Sequence, residues 1–211
     1  CLSVTELISV LYGKQMKFDP KNPHWEGRDY LVMSKGHAAP AVEAALAEKG
    51  FFDKSLLLTM DDIGTKIPSH VDRLLTPGID VTCGSLGQGA SVAAGIAYGL
   101  KHAGRDNQYV YVCLGDGEMN EGQNWEAFQF MAHNKLNNCI VFIDYNKRQH
   151  DGYCEEVLRP FSFEEKMKAF GFWCITVDGA SEEAIDEGIN AAKAVKDQAV
   201  CIVLDTVKGQ G

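Results

Sequence analysis

The tetrapeptide Gly115-Asp116-Gly117-Glu118 follows an apolar run, 108–114, and precedes a stretch of helical character that starts near Asn120. In open α/β sheets, ligands bind beyond the carboxyl ends of strands, at turns of this kind. The two glycines let the backbone approach a ligand closely. The helix N-terminus behind them offers free N–H groups to an anion. Asp116 adds a carboxylate where the surroundings favour phosphate. Two anions meeting there need a cation between them, and a hard divalent ion with oxygen ligands fits. Gly and Asp are also ordinary choices for a plain strand–helix turn. A second strand end adds weight to the metal reading. The run 139–145 leads into Asp144-Tyr145-Asn146-Lys147, and Asn146 follows Asp116 by 30 positions. One βαβ unit takes about thirty residues, so this spacing can set Asp116 and Asn146 side by side at adjacent strand ends. A carboxylate, an amide oxygen, a backbone carbonyl, two phosphate oxygens and water would make an octahedral Mg2+ shell.

The elements that must position these groups are legible from periodicity. Val4, Leu7, Ile8 and Leu11 have helical spacing within 4–12. A short apolar run, Tyr30–Met33, leads to Ser34, Gly36 and His37; an Ala-rich helix over 38–49 follows, with Gly50 as its C-cap. A short helix over 53–60 takes Asp53 as N-cap. No long element is expected over 61–83, and long loops inside a compact domain are often functional. A small-residue helix spans 86–103, and further helices are read at 120–133, 163–170 and 181–195, the last capped by Ser181. Strands are read at 108–114, 139–145, 173–177 and 199–207. VYVCL, CIVFI and VCIVL are apolar throughout rather than alternating, as in a parallel sheet buried on both faces. Strand–helix alternation then gives an α/β fold, a doubly wound, mostly parallel sheet with helices on both faces. No repeat or linker is visible, so residues 1–211 read as a single domain.

Composition narrows the function. The chain has 211 residues with a formal net charge of −9, 45% hydrophobic and 23% charged. Those shares suit an ordinary globular domain. An acidic balance argues against nucleic-acid binding, which needs a basic face. No apolar run approaches the ~18 residues of a membrane span, and CLSVTELISVLYG has no signal-peptide features. The chain does not begin with Met, so an upstream segment is expected. Seven cysteines with no C-x-x-C pair make a poor disulfide framework and a poor zinc site. Four of them sit in strand-like runs, where Cys packs as a small hydrophobe. A reducing, cytoplasmic compartment is expected.

The pattern Gly115-Asp116-Gly117 with Asn146 resembles the thiamine diphosphate fingerprint. Four ordered segments narrow the likeness to the transketolase family: WEGRDYLVMSKGH (25–37), TPGIDVTCGSLGQG (76–89), LGDGEMNEGQNWEA (114–127) and DYNKRQHDG (144–152). The resemblance covers nearly the whole chain, but only the family's diphosphate-binding domain. It implies that Asp116, Asn146 and the carbonyl of Arg148 hold Mg2+, with Ca2+ or Mn2+ as substitutes. It places Gly115, Gly117, Glu118 and Asn146 with the diphosphate, and Gly84, Ser85 and Leu86 with the aminopyrimidine. His37 would lie near cofactor and substrate, and His70 would hydrogen-bond the sugar end of the donor. Lys208, in VKGQG, would approach the diphosphate or the donor. Glu121 and Glu126 match acidic residues at the family's subunit interface. Without the resemblance, each histidine reads as a surface or satisfied core residue, the two glutamates as solvated helix charges and Lys208 as a surface lysine.

The implied activity is transfer of a two-carbon ketol unit from a ketose to an aldose, on sugars or sugar phosphates. The glutamate that activates the aminopyrimidine belongs to the family's other domain. A partner C-terminal subunit, carrying the pyrimidine-binding and C-terminal domains, is therefore implied, in a hetero-oligomer such as a heterotetramer. The wording GSLGQG looks like the N-terminal subunit of a split transketolase. The chain departs from the family at Ser69-His70-Val71, where Gly-His-Pro is usual, and at His150, where an apolar residue near the thiazolium is usual. It also starts after the family's first GHxG motif and stops before a histidine-bearing segment. Competing readings are a subunit of a deoxyxylulose-phosphate synthase or a 2-oxo-acid dehydrogenase, a non-catalytic assembly subunit, and a trimmed piece of a longer chain. SKGH, GSLGQG and EMNEG speak against the synthase and dehydrogenase readings, and intact Asp116, Gly117 and Asn146 against a non-catalytic subunit.

Overall fold

The computed structural model describes residues 1–209. Its strands are β1 (Tyr30–Met33), β2 (Val110–Gly115), β3 (Cys139–Tyr145), β4 (Arg148–Gln149), β5 (Gly152–Tyr153), β6 (Trp173–Asp178) and β7 (Val200–Asp205). Five of them form one sheet in the order β1-β2-β3-β7-β6, and every pairing in it is parallel. β4 and β5 make a separate two-stranded antiparallel ribbon. The helices are α1 (Thr5–Val10), α2 (Ala39–Glu48), α3 (Gln88–His102), α4 (Gly122–His133), α5 (Cys154–Val157), α6 (Phe163–Ala169) and α7 (Glu182–Ala194).

The central strands are apolar on both sides because both sides are covered. Every residue of β2 is buried, as are all of β3 but Tyr145 and all of β7 but Asp205. In β6, at the edge, only Cys174 is buried; Thr176 and Asp178 are exposed and the rest half-buried. Cys113, Cys139, Cys174 and Cys201 are buried in these strands as free thiols. The chain moves in one direction across the sheet from β1 through β3 to β6, then steps back to β7. Right-handed crossovers of opposite direction carry their helices to opposite faces. α3 packs on α4, and α1 packs on α7. Small residues let α3 approach closely: Ala90, Ala93, Ala94 and Ala97 are buried. At Gly89 a Cβ would lie 2.9 Å from the Cα of Ser34, so the first turn of α3 can rest on the end of β1 only because that residue is glycine.

The elements read from the sequence are present, with local differences. The N-terminal helix is longer and less regular than expected, running from a 3-10 turn at Leu2–Val4 through α1 to a π-helical turn at Leu11–Gln15. The segment after Asp53 is a 3-10 helix, Lys54–Thr59, although Asp53 caps it by accepting from the Ser55 N–H. α4 begins at Gly122 because Glu118–Asn120 form a separate 3-10 turn. The ribbon β4–β5 and the short α5 have no counterpart in the sequence reading. No helix among the described residues is long and apolar enough to cross a membrane.

One core residue stands apart. Glu43 on α2 is 0% exposed, and neither carboxylate oxygen has a hydrogen-bond partner. Burial, with the Asp61 carboxylate adding to it, pushes its pKa from 4.5 up to about 7. The folded state thus favours the protonated acid, and stability falls as pH rises from 4.5 toward 7. Glu43→Gln is expected to match the native chain at pH 5 and to be more stable by roughly 1–3 kcal/mol at pH 8. Equal stabilities at both pH values in chemical denaturation would refute this.

Candidate metal and diphosphate site

The register of the sheet builds the site. Gly115 of β2 pairs with Asp144 of β3, so the two chains leave the sheet side by side. The Asp116 N–H continues the ladder by donating to the Asp144 carbonyl at 3.2 Å. The Asp116 carboxylate is buried and held by backbone from both strand ends. Oδ1 accepts the Gly117 N–H at 2.8 Å, and Oδ2 accepts the Lys147 N–H at 2.7 Å. The Cys154 thiol is a further donor. Burial pushes the Asp116 pKa up, the two backbone donors oppose that, and the Asp144 charge adds to it. Lys147 reaches its position with φ at +67°, an uncommon conformation for a side-chain-bearing residue. Its ammonium is tied back to Asp205 and to the Thr206 carbonyl.

Asn146 lies beside Asp116 as the sequence spacing predicts. Its Nδ2 donates to Asp144 Oδ2 at 3.0 Å, and its Oδ1 accepts the Arg148 N–H at 3.2 Å. Arg148 opens the ribbon β4–β5, with its guanidinium 4.1 Å from the Tyr153 ring centroid. Gly117 forms a cradle: a Cβ there would lie 2.6 Å from the Cβ of Gln149.

Beyond these strand ends opens a cavity of about 600 Å³. His37, Leu86, Gly115, Asp116, Gly117, Glu118, Glu121, Asn146, Arg148 and Lys208 all line it, as does His150. His70, Gly84, Ser85 and Glu126 do not. His70 is nevertheless a neighbour, its ring centroid 5.8 Å from that of His37, and Gly84 packs against His70. Ser85 is exposed at the entry to α3, and Glu126 is exposed on α4. Glu121 sits at the rim of the cavity, so the two glutamates occupy different places. Lys208 is described, whereas Gln210 and Gly211 of its motif lie outside the described residues. Burial lowers the His37 pKa, and His70, Lys35, His150 and Lys208 lower it further. The imidazole is thereby held neutral near pH 7, able to donate at one nitrogen and accept at the other.

Three residues with no assigned role in the sequence reading prove central to this geometry. Ser34 donates to Glu118 Oε1, which also accepts the Gly87 N–H at 2.9 Å; Glu118 Oε2 accepts the Gly115 N–H at 3.0 Å. Glu118 therefore clamps the ends of β1 and β2 to the entry of α3. Lys35 is buried and paired with Asp144. Burial alone would lower its pKa, but the Asp144 carboxylate reverses that and holds the ammonium above its ordinary value. The one local signal was an acidic residue, Asp144, ending an otherwise apolar strand.

The donor set can be tested against a metal. No three His, Cys, Asp or Glu side chains converge as a metal cluster among the described residues. What converges is one carboxylate, one amide and the backbone at Arg148, beside a glycine cradle. Mg2+ is bound in this way, through one or two carboxylates with substrate phosphates and water completing the shell. The residues fit a Mg2+–diphosphate group.

Comparison with known proteins agrees with the geometry. The family model described as transketolase, thiamine diphosphate binding domain, matches residues 1–211. The chain belongs to that family. It is 45% identical over 210 residues to the 6-deoxy-6-sulfo-D-fructose transketolase subunit SqwG of Clostridium sp. (strain MSTE9), covering 100% of this chain and 76% of that one. It is 36% identical over 216 residues to human transketolase, covering 100% of this chain but 33% of the human protein. The solved transketolase of Leishmania mexicana superposes with a TM-score of 0.87 at 30% identity, over 98% of this chain and 35% of that chain. The chain thus spans about a third of the human and Leishmania transketolases and about three quarters of the SqwG subunit.

Removing Glu118 should show its structural weight. Glu118→Ala strands three buried donors and is expected to cost roughly 2–4 kcal/mol. Thermal unfolding should fall by about 5–15 °C, and Glu118→Gln should fall less. A midpoint within a degree of the native chain would remove the clamp assignment.

Proposed function

We propose that this chain is the Mg2+- and diphosphate-binding part of a transketolase that moves a two-carbon ketol unit from a ketose to an aldose. The observation that carries the reading is the juxtaposition of Asp116 and Asn146 at adjacent strand ends, above the Gly117 cradle. Asp116, Asn146 and the Arg148 carbonyl would hold Mg2+, with Ca2+ or Mn2+ able to replace it. Thiamine diphosphate held there would supply the carbanion chemistry that ketol transfer requires.

The protein's own part is positioning and proton handling. Gly115, Gly117 and Glu118 shape the diphosphate side, and Gly84, Ser85 and Leu86 the aminopyrimidine side. Lys208, on the cavity wall, offers a cation to the diphosphate or the donor. Neutral His37, with His70 beside it, donates hydrogen bonds to substrate oxygens as negative charge develops on them. The relative named for 6-deoxy-6-sulfo-D-fructose supports a donor with a terminal anion, and Lys208 on the cavity wall, with the His150 side chain also lining it, suits one.

A C-terminal partner chain supplies the pyrimidine-binding domain and its glutamate, in a hetero-oligomer with the active site between subunits. Glu121 and Glu126 face that partner. The relative described as a subunit supports a divided enzyme. An apolar depression of about 530 Å³, lined by Trp125, Leu158 and Phe161 and reaching Asn120 beside the site, suits such a contact. The compartment is the cytoplasm, consistent with seven free thiols.

Asp116→Ala is the test. Titration of the assembled protein with thiamine diphosphate should show Mg2+-dependent binding weakened at least 100-fold, with far-UV circular dichroism unchanged. Native-like affinity in that variant would overturn the metal assignment.

A further inference from the structure

We infer that Asp144 is a positioning residue: it fixes the orientation of the Asn146 amide and locks that amide to the N-terminal segment, the end of β1 and the end of β7. The inference rests on the proposed metal site. Asp144 is 0% exposed, at the carboxyl end of β3. Four side chains from four parts of the chain donate to it. Ser3 Oγ reaches Oδ2 at 2.7 Å, Thr206 Oγ1 reaches Oδ1 at 2.5 Å, Asn146 Nδ2 reaches Oδ2 at 3.0 Å, and Lys35 Nζ pairs with Oδ2.

The two Asp144 oxygens are met by four donors, so they serve as acceptors. Whatever part of Asn146 faces them must therefore be the NH2, and the amide oxygen must point the other way. In the structure that oxygen turns to the Arg148 N–H, on the side of the cavity where the metal would sit. A free asparagine could flip its amide and present donors to a cation, which repels it. Asp144 removes that alternative. Lys35, itself buried, sets an opposite charge against the Asp144 carboxylate. Ser3 and Thr206 fill the acceptor sites left over. Outer partners that orient metal ligands typically cost 10–100-fold in metal affinity when removed.

The experiment is a double-mutant cycle on the assembled protein, with Mn2+ binding followed by electron paramagnetic resonance at saturating thiamine diphosphate. Asp144→Asn should weaken Mn2+ at least 10-fold, because its own NH2 now competes with that of Asn146. Asn146→Ala should weaken it at least as much. The double variant should lie within about threefold of Asn146→Ala alone, since Asp144 acts through Asn146. Native affinity in Asp144→Asn, or effects that multiply in the double variant, would overturn the assignment. Should Asp144→Asn not fold, Lys35→Met/Asp144→Asn is compared with Lys35→Met alone, which leaves no unpaired buried ammonium. Failure of the native assembly to bind Mn2+ with thiamine diphosphate would refute the proposed function instead. The positioning role then has its own readout in metal-free protein. The Asn146 side-chain amide protons should exchange at least tenfold faster in Asp144→Asn, and equal exchange would refute the role.

Discussion

The parallel pairing of Gly115 with Asp144 is the constraint on which the site depends. It is a backbone event, driven by two apolar strands that must be buried on both faces. Once that register is set, Asp116 and Asn146 have no choice but to emerge together. A slip of one residue would reverse every side chain of β3 relative to the core. The parallel register thus sets the alignment of the two proposed metal ligands, although neither contributes to the apolar core.

The strand ends then carry an unusual load of buried charge. Asp116, Glu118 and Asp144 are all buried carboxylates, and Lys35 is the buried ammonium among them. Each is satisfied differently. Glu118 is taken up by backbone N–H groups and Ser34, Asp144 by Lys35 and three neutral donors, and Asp116 by backbone donors and a thiol. Asp116 has no side-chain cation paired with it, and it lines the cavity. A polar network of this kind is rigid when every member is satisfied and costly when one is not. A divalent cation at Asp116, as proposed, would complete it.

Much of this was legible in the sequence, and the reasons are specific. β3 was read with its true limits because CIVFI is apolar throughout and the polar Asn146-Lys147 follows Tyr145. The helix capped by Ser181 was found because its cap and its apolar stripe agree. The side-by-side placement of Asp116 and Asn146 was legible because one βαβ unit takes about thirty residues. The ribbon β4–β5 was missed because two-residue strands carry no periodicity. The start of α4 was misplaced because the chain first wraps as a 3-10 turn to bring Glu118 back onto Gly115. The Asp144 network was invisible for a different reason. Ser3, Lys35 and Thr206 are far apart along the chain and meet only once the sheet has formed. Glu118 was assigned to the cofactor from resemblance, whereas its hydrogen bonds show a carboxylate engaged with the protein itself.

The central claim is that Asp116, Asn146 and the Arg148 carbonyl together hold a divalent ion against a diphosphate. The most direct measurement is anomalous diffraction at the manganese edge, from crystals of the assembled protein grown with Mn2+ and thiamine diphosphate. The account predicts one strong peak between these three groups and the diphosphate oxygens. A peak elsewhere, or bound thiamine diphosphate with no metal beside Asp116, would contradict it.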